Sequence, residues 1–326
     1  MITAREATLD RLVVQGSIGS VVIDKRKYKL VAYFSDQMHS SGQKAAKVIG
    51  CKTTTVPAGN DFRLTKQALE QAVAKNREQD LIPFFVCGTF GTTNTTAIDD
   101  LPGIADVAQK ESLWYHVDAT YAGSALTCPE FRPLAAGSER ADSFNFNPHK
   151  WVLTNFDCLA LWVADSTHLV NALSIHREYY PKAEGDTAFL PLGRRFRSLK
   201  LWFAMRMYGA EGIRKHIRDD VMQAKWLANQ LVADGRFELI VPVVFGLVVF
   251  RIKPKALSDP SKVSHANTAL IKAINDNGRV LLIGTKLNGN EVLRAAVGST
   301  FGTQKNAHLL FVILKEQAAK AIIAPE

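Results

Sequence analysis

Short apolar runs alternate with stretches of helical period through the N-terminal part of this chain, and that alternation restricts the possible folds more than any other feature. Strands covered on both faces read as nearly continuous apolar runs, and the helices that cover them repeat every 3.6 residues. Residues 29–34, 83–88, 114–117, 143–146 and 158–163 read as strands. Between them, Ser40 or Ser41 can cap a helix that runs to Gly50, a good C-terminal stop. Residues 65–75 put Leu69, Ala72 and Val73 on one helical face. Asp99 or Asp100 can cap a helix carrying Leu101, Ile104, Ala105 and Ala108. The pattern predicts an α/β fold.

From about Ser198 the pattern changes to helices, then strand runs at 237–241, 247–252, 279–283 and 291–297, then a closing helix from Thr303. That order predicts a smaller α+β domain. The expected boundary gives a large domain over 1–200 and a C-terminal domain over 201–326. No internal repeat or low-complexity tract interrupts either part.

With 326 residues, of which 47% are apolar and 22% charged, the chain can bury a sizeable core and is not a disordered polymer. Its net charge of +9 raises nucleic acid as a partner, but apart from Arg194, Arg195, Arg197 and Lys200 the basic residues are scattered. No nucleic-acid motif accompanies them. Cys51, Cys87, Cys128 and Cys158 lie far apart without metal-ligand spacing, so they read as buried thiols in a reducing compartment. The N-terminus has no secretory pattern, and the longest apolar run, 239–250, is too short to span a bilayer and is broken by Pro242 and Gly246. The expectation is a cytoplasmic protein with no bound metal, no membrane and no nucleic acid.

The chemistry gathers in two places. Phe144-Asn145-Phe146-Asn147-Pro148-His149-Lys150 and His116-Val117-Asp118-Ala119 are each an apolar strand ending in polar residues. Together they offer an amine nucleophile, an acid and an imidazole at strand ends, where α/β sheets place ligands. Singly, a lysine after a strand is ordinarily a solvated surface residue and an aspartate there a helix cap. Jointly they supply what pyridoxal phosphate chemistry needs: a lysine that condenses with an aldehyde, and a carboxylate that keeps a pyridine nitrogen protonated.

Five ordered blocks carry a resemblance: Leu30 to Ser40, Gly91-Thr92-Thr93, His116 to Ala125, Asp142 to Trp151 and Pro191 to Lys200. On these the chain resembles the group II pyridoxal phosphate-dependent decarboxylases, most closely the aromatic L-amino acid decarboxylases. The resemblance implies a PLP-dependent transferase-like fold of type I, with a mixed, mostly parallel sheet and a smaller C-terminal α+β domain. It also implies pyridoxal 5'-phosphate as cofactor, an aromatic L-amino acid as substrate, carbon dioxide and an amine as products, and a homodimer.

Residue by residue, the resemblance makes Lys150 the cofactor lysine and Asp118 the partner of the ring nitrogen. His39 becomes the imidazole that stacks on the ring and reaches the substrate carboxylate. Thr93 becomes a cofactor contact, Asn147 a holder of the phosphate, and His149 a neighbour of the phosphate or substrate. Outside the resemblance, a histidine in the place of His39 is more often a helix cap, and a threonine like Thr93 a turn hydroxyl.

Tyr179 falls where these decarboxylases carry a mobile-loop tyrosine that returns a proton to the substrate α-carbon, with Tyr180 next in register. Related aldehyde synthases usually have phenylalanine there. Gly193 stands where plant relatives often have glycine for indolic substrates and serine for phenolic ones.

Thr120 departs from the family's Asp-Ala-Ala-Tyr, in which a small apolar residue touches the ring face. A long N-terminal region of the resembling enzymes has no counterpart before Thr3, and the loop between Tyr179 and Gly193 is shorter than theirs. The stretch around Ser17 reads as a connection rather than a phosphate site. Aldehyde synthesis, decarboxylation of another amino acid such as glutamate or histidine, and a binding or assembly role without catalysis are the alternative expectations.

Overall fold

A computed structural model describes residues 1–15, 29–174, 193, 195–257 and 259–323, which divide into two compact units. The first comprises Met1–Thr93 and Ala97–Ala204, the second Asn94–Thr96 and Met205–Glu326.

The first unit is built on a six-stranded sheet, preceded by helix α1 (Ile2–Val14). Its strands are β1 (Leu30–Ser35), β2 (Lys52–Val56), β3 (Ile82–Thr89), β4 (Trp114–Asp118), β5 (Ser143–Phe146) and β6 (Ala160–Val163), in the order β2-β1-β3-β4-β5-β6. All neighbours are parallel except the β5–β6 pair, which is antiparallel. The sheet is therefore mixed and mostly parallel, as expected. Its central strands are apolar runs because both faces are covered: every residue of β1 is buried, as is all of β3 after Ile82. Phe34, Phe84 and Phe85 pack with Leu30, Ala32 and Ala46, and each phenylalanine or leucine among them contributes about 1.5–3 kcal/mol on full burial.

The connecting helices are α2 (Ser41–Ile49), α3 (Lys66–Glu78), α4 (Leu101–Glu111), the short α5 (Pro148–Trp151) and α6 (Ser166–Leu173). Gly50 ends α2 in the left-handed conformation at φ 71°. The Thr65 side chain caps α3 by accepting from the amide of Ala68 at 3.3 Å, and Asp100 caps α4 by accepting from that of Gly103. Asp99 instead ties two loops together, because its two carboxylate oxygens accept from the amides of Leu64 and Thr89, each at 2.7 Å. Ser40 stands at the N-cap of α2 without a side-chain bond, and the Ser41 amide is instead accepted by Nδ1 of His39 at 3.2 Å.

The second unit has an antiparallel four-stranded sheet in the order β7-β8-β10-β9, from β7 (Phe237–Leu239), β8 (Leu247–Ile252), β9 (Ile283–Leu287) and β10 (Asn290–Ala296). Helices α8 (Val263–Asp276) and α9 (Gln304–Ile323) complete it. Phe237, Phe250, Ile252, Leu270, Ile274 and Ile313 lie in its core. Helix α7 (Arg197–Asp234) runs across residues of both units and is broken at Gly209, whose φ of 63° and ψ of 179° are not helical.

Two strand expectations need correction. β2 is absent from the sequence pattern: Lys52-Thr53-Thr54-Thr55-Val56 has no apolar run, because it is a largely exposed edge strand. β9 begins at Ile283, where the 279–283 run should end, since the hairpin to β10 turns at Asn288-Gly289 and pairs Leu287 with Asn290. Positive φ at both turn residues, 48° and 79°, gives the tight turn that suits the strand twist.

Candidate active site

The strand order reverses at β1, which has β2 on one side and β3 on the other. At such a switch point the connections leave in opposite directions and open a crevice beyond the carboxyl ends of the strands. A cavity of about 860 Å³ lies there, lined from successive strand ends by His39 after β1, Gly91 and Thr93 after β3, Asp118 and Thr120 at β4, and Asn147, His149 and Lys150 after β5. The amine and the acid singled out from sequence thus face one cavity.

Backbone hydrogen bonds lock the two chemically richest loops together. The Ala119 amide donates to the Asn145 carbonyl at 2.9 Å, and the Asn147 amide to the Thr120 carbonyl at 3.0 Å. Pro148 opens the single turn that presents Lys150, and its fixed φ suits a first helical position. Trp151, 1% exposed, anchors that turn by stacking on Tyr121 with ring centroids 4.9 Å apart. Lys150 itself is exposed to the cavity.

Asp118 is 8% exposed, and its Oδ1 accepts from both the amide, at 3.0 Å, and the hydroxyl of Thr120. Beside it runs a polar row that lines the same cavity, with Ser143 and Asn145 buried and Trp114, His116 and Thr120 half-buried. Asn145 Nδ2 donates to Thr120 Oγ1 at 2.9 Å, His116 Nε2 is 2.8 Å from Asn145 Oδ1, and His116 Nδ1 is 2.8 Å from Ser143 Oγ. Trp114 Nε1 donates to the same serine oxygen at 2.8 Å. Burial holds the His116 imidazole below the usual histidine range, against the opposing pull of the Asp118 carboxylate.

His39 is exposed at the cavity, and its ring accepts the Ser41 amide as a cap of α2, the structural role expected of a histidine there. His149 Nδ1 lies 2.7 Å from the Cys158 carbonyl oxygen, with the Phe156 ring edge-on at 4.9 Å. Asn147 Oδ1 is buried and has no hydrogen-bond partner among the described residues, an arrangement that costs free energy unless something else fills the cavity.

Arg197, paired with Asp157 at 3.0 Å, and Phe156 also reach the cavity; sequence reasoning misses both. The arginine holds the Asp157 carboxyl below its usual range. The basic run at 194–200 and the family-like block Pro191 to Lys200 are the sequence signals for Arg197. Tyr179, Tyr180 and Ser17 lie outside the described residues. Gly193 is exposed, has nothing within 4 Å of an added Cβ, and is not among the residues lining the cavity.

Residues 4–253 match the family model described as pyridoxal-dependent decarboxylase conserved domain. The chain is 39% identical over 335 residues to phenylacetaldehyde synthase of Arabidopsis thaliana, covering 97% of this chain and 67% of that protein. It is 39% identical over 330 residues to a tryptophan decarboxylase of Camptotheca acuminata, covering 97% and 66%. The crystal structure of an Oryza sativa TDC with PLP and tryptamine superposes with a TM-score of 0.92 at 34% identity, covering 98% of this chain and 67% of that one. The chain thus spans about two thirds of the length of these relatives.

Proposed function

The chain belongs to the pyridoxal-dependent decarboxylase family, and we propose that its cavity binds pyridoxal 5'-phosphate and removes the carboxyl group of an aromatic L-amino acid as carbon dioxide, leaving the amine. The single observation that carries this reading is the shared cavity of Lys150 and Asp118. The residues present suit the group. No described residue donates to Asp118 Oδ2, which leaves an oxygen for a ring N–H. A primary amine, Lys150 after β5, and an imidazole, His39 after β1, line the same cavity.

When bound, the cofactor supplies a protonated ring that accepts the electron pair released as the substrate Cα–carboxylate bond breaks. Asp118 holds the proton on the ring nitrogen. Lys150 supplies the amine that tethers the cofactor and later frees the product. His39 would stack on the ring, exclude water and meet the substrate carboxylate, and Thr120 would border the ring. Thr93 and Asn147 would hold the cofactor, Asn147 at its phosphate, and His149 would neighbour the phosphate or the substrate. Tyr179 returns the proton to the substrate α-carbon.

The similarity to a tryptophan decarboxylase supports indolic over phenolic substrates. The active form is a cytoplasmic homodimer, a reading supported by family membership and by four cysteines that are all free thiols. The similarity to a phenylacetaldehyde synthase favours aldehyde formation as the second reading.

The test mixes the purified chain with pyridoxal phosphate and a panel of aromatic amino acids, recording the bound-cofactor absorbance, carbon dioxide, amine, aldehyde and peroxide. Amine without peroxide is expected, with tryptophan ahead of tyrosine, and Lys150→Ala should lose both the absorbance and turnover. Unchanged turnover in Lys150→Ala would refute the proposal, and aldehyde with peroxide would select the second reading.

A further inference from the structure

We propose that Thr120 is a positioning residue whose hydroxyl joins Asp118 to a one-way hydrogen-bond chain from Trp114, and thereby fixes which carboxylate oxygen is offered to the cofactor ring. The inference rests on the cofactor reading above, but its geometry is that of this chain's own residues.

The direction of every proton in the row follows from its two ends. An ionised carboxylate only accepts, so the Thr120 hydroxyl must donate to Asp118 Oδ1. Its one proton thus used, Thr120 Oγ1 must accept from Asn145, which turns Asn145 Nδ2 toward Thr120 and Oδ1 toward His116. Asn145 Oδ1 can only accept, so His116 Nε2 carries the hydrogen and Nδ1, in the neutral ring, is an acceptor. Ser143 therefore donates to His116 Nδ1, and the lone pair it exposes is met by Trp114 Nε1, a group that only donates.

All these donors point one way and end on one oxygen. The burial that disfavours a charged His116 agrees with the neutral tautomer this chain requires. Oδ1 is thus held twice by Thr120, through amide and hydroxyl, and Oδ2 is the oxygen left for the ring. The residues come from β4, β5 and the turn after β4, and the parallel pairing of His116 with Ser143 and of Asp118 with Asn145 sets their spacing.

Valine or alanine at 120 keeps the amide bond to Oδ1 and deletes the hydroxyl. Asn145 Nδ2 then loses its acceptor, its amide is free to flip, and nothing dictates the His116 tautomer.

The test records nitrogen shifts of the His116 ring in the full chain before loading, and of ring-labelled ¹⁵N pyridoxal phosphate after it. Wild type and Thr120→Ser should show one His116 tautomer, hydrogen on Nε2, and a protonated cofactor nitrogen. Thr120→Val and Thr120→Ala should both show a second tautomer and a cofactor nitrogen moved toward its unprotonated shift. Alanine is read beside valine because it removes the hydroxyl without adding a methyl group. If both variants bind labelled cofactor with wild-type shifts at both rings, the role of Thr120 is refuted while the cofactor reading stands. If wild type takes up no labelled cofactor, both fall together.

Discussion

Gly91 stands at the carboxyl end of β3 with φ of 88°, where any side chain is strained. Left-handed backbone costs an L-residue about 1–2 kcal/mol. A Cβ built at this position would also lie 2.5 Å from Cβ of Ala122, which is fully buried in the turn that follows Thr120. Carbon atoms rest about 3.5–4 Å apart, so one of the two must retreat by roughly an ångström or more. That turn has little freedom to retreat, because the Gly123 amide is bonded to the Ala119 carbonyl at 2.8 Å. Overpacking of this kind costs about 1–3 kcal/mol.

Gly91→Ala should therefore destabilise the first unit by about 2–5 kcal/mol in all. Gly50→Ala is the matched control, with φ of 71° in the same unit and nothing within 4 Å of the added carbon. It should lose only the conformational part, about 1–2 kcal/mol. Urea unfolding followed by circular dichroism, with equal slopes for the variants, gives both numbers. Equal losses in the two variants would show that the Gly91–Ala122 approach is not a real constraint, and with it that the loop bearing Thr93 is not held as described.

Trp151→Ala should lower stability by about 3–5 kcal/mol, the usual range for emptying a buried tryptophan site, as read by the same urea titration. Burial raises the Asp99 carboxyl to about 7, partly opposed by the two amides it accepts from. An unfolded chain gives up this proton near pH 3.8 while the folded one keeps it, so stability is fully present below that pH and is lost as the pH rises to about 7. The loss attributable to this group is roughly 4 kcal/mol, at 1.36 kcal/mol per pH unit. Asp99→Asn should flatten the decline between pH 4 and 7 even though it lowers stability throughout, because its amide nitrogen opposes a backbone N–H. An unchanged slope would assign the decline elsewhere.

The apolar strands are legible because burial on both faces writes itself into composition. β3 shows this most plainly, and the edge strand β2 shows the converse: with one side solvated, only its β-branched threonines mark it. The turn Asn288-Gly289 is a local signal sufficient to place β9 correctly. At the site, Lys150, Asp118 and His39 stand out as residue types in ordered motifs, and their shared cavity is where the strand-end rule puts them. The polar row beside Asp118 is not legible, because it depends on the register of β4 against β5. Its trace in sequence is the period-two spacing of 116, 118 and 120 against 143 and 145, which places side chains on one face of adjoining strands.

The reversal of strand order at β1 gathers its cavity from chain segments that are remote from one another in sequence. No local piece of the polypeptide can grip a ligand there before the central strands have aligned. Occupancy is consequently coupled to completed folding of this unit, and each tenfold excess of ligand over its dissociation constant deepens the native basin by about 1.4 kcal/mol. A cell's vitamin B6 supply would then govern how much of this protein persists, as well as how fast it turns over.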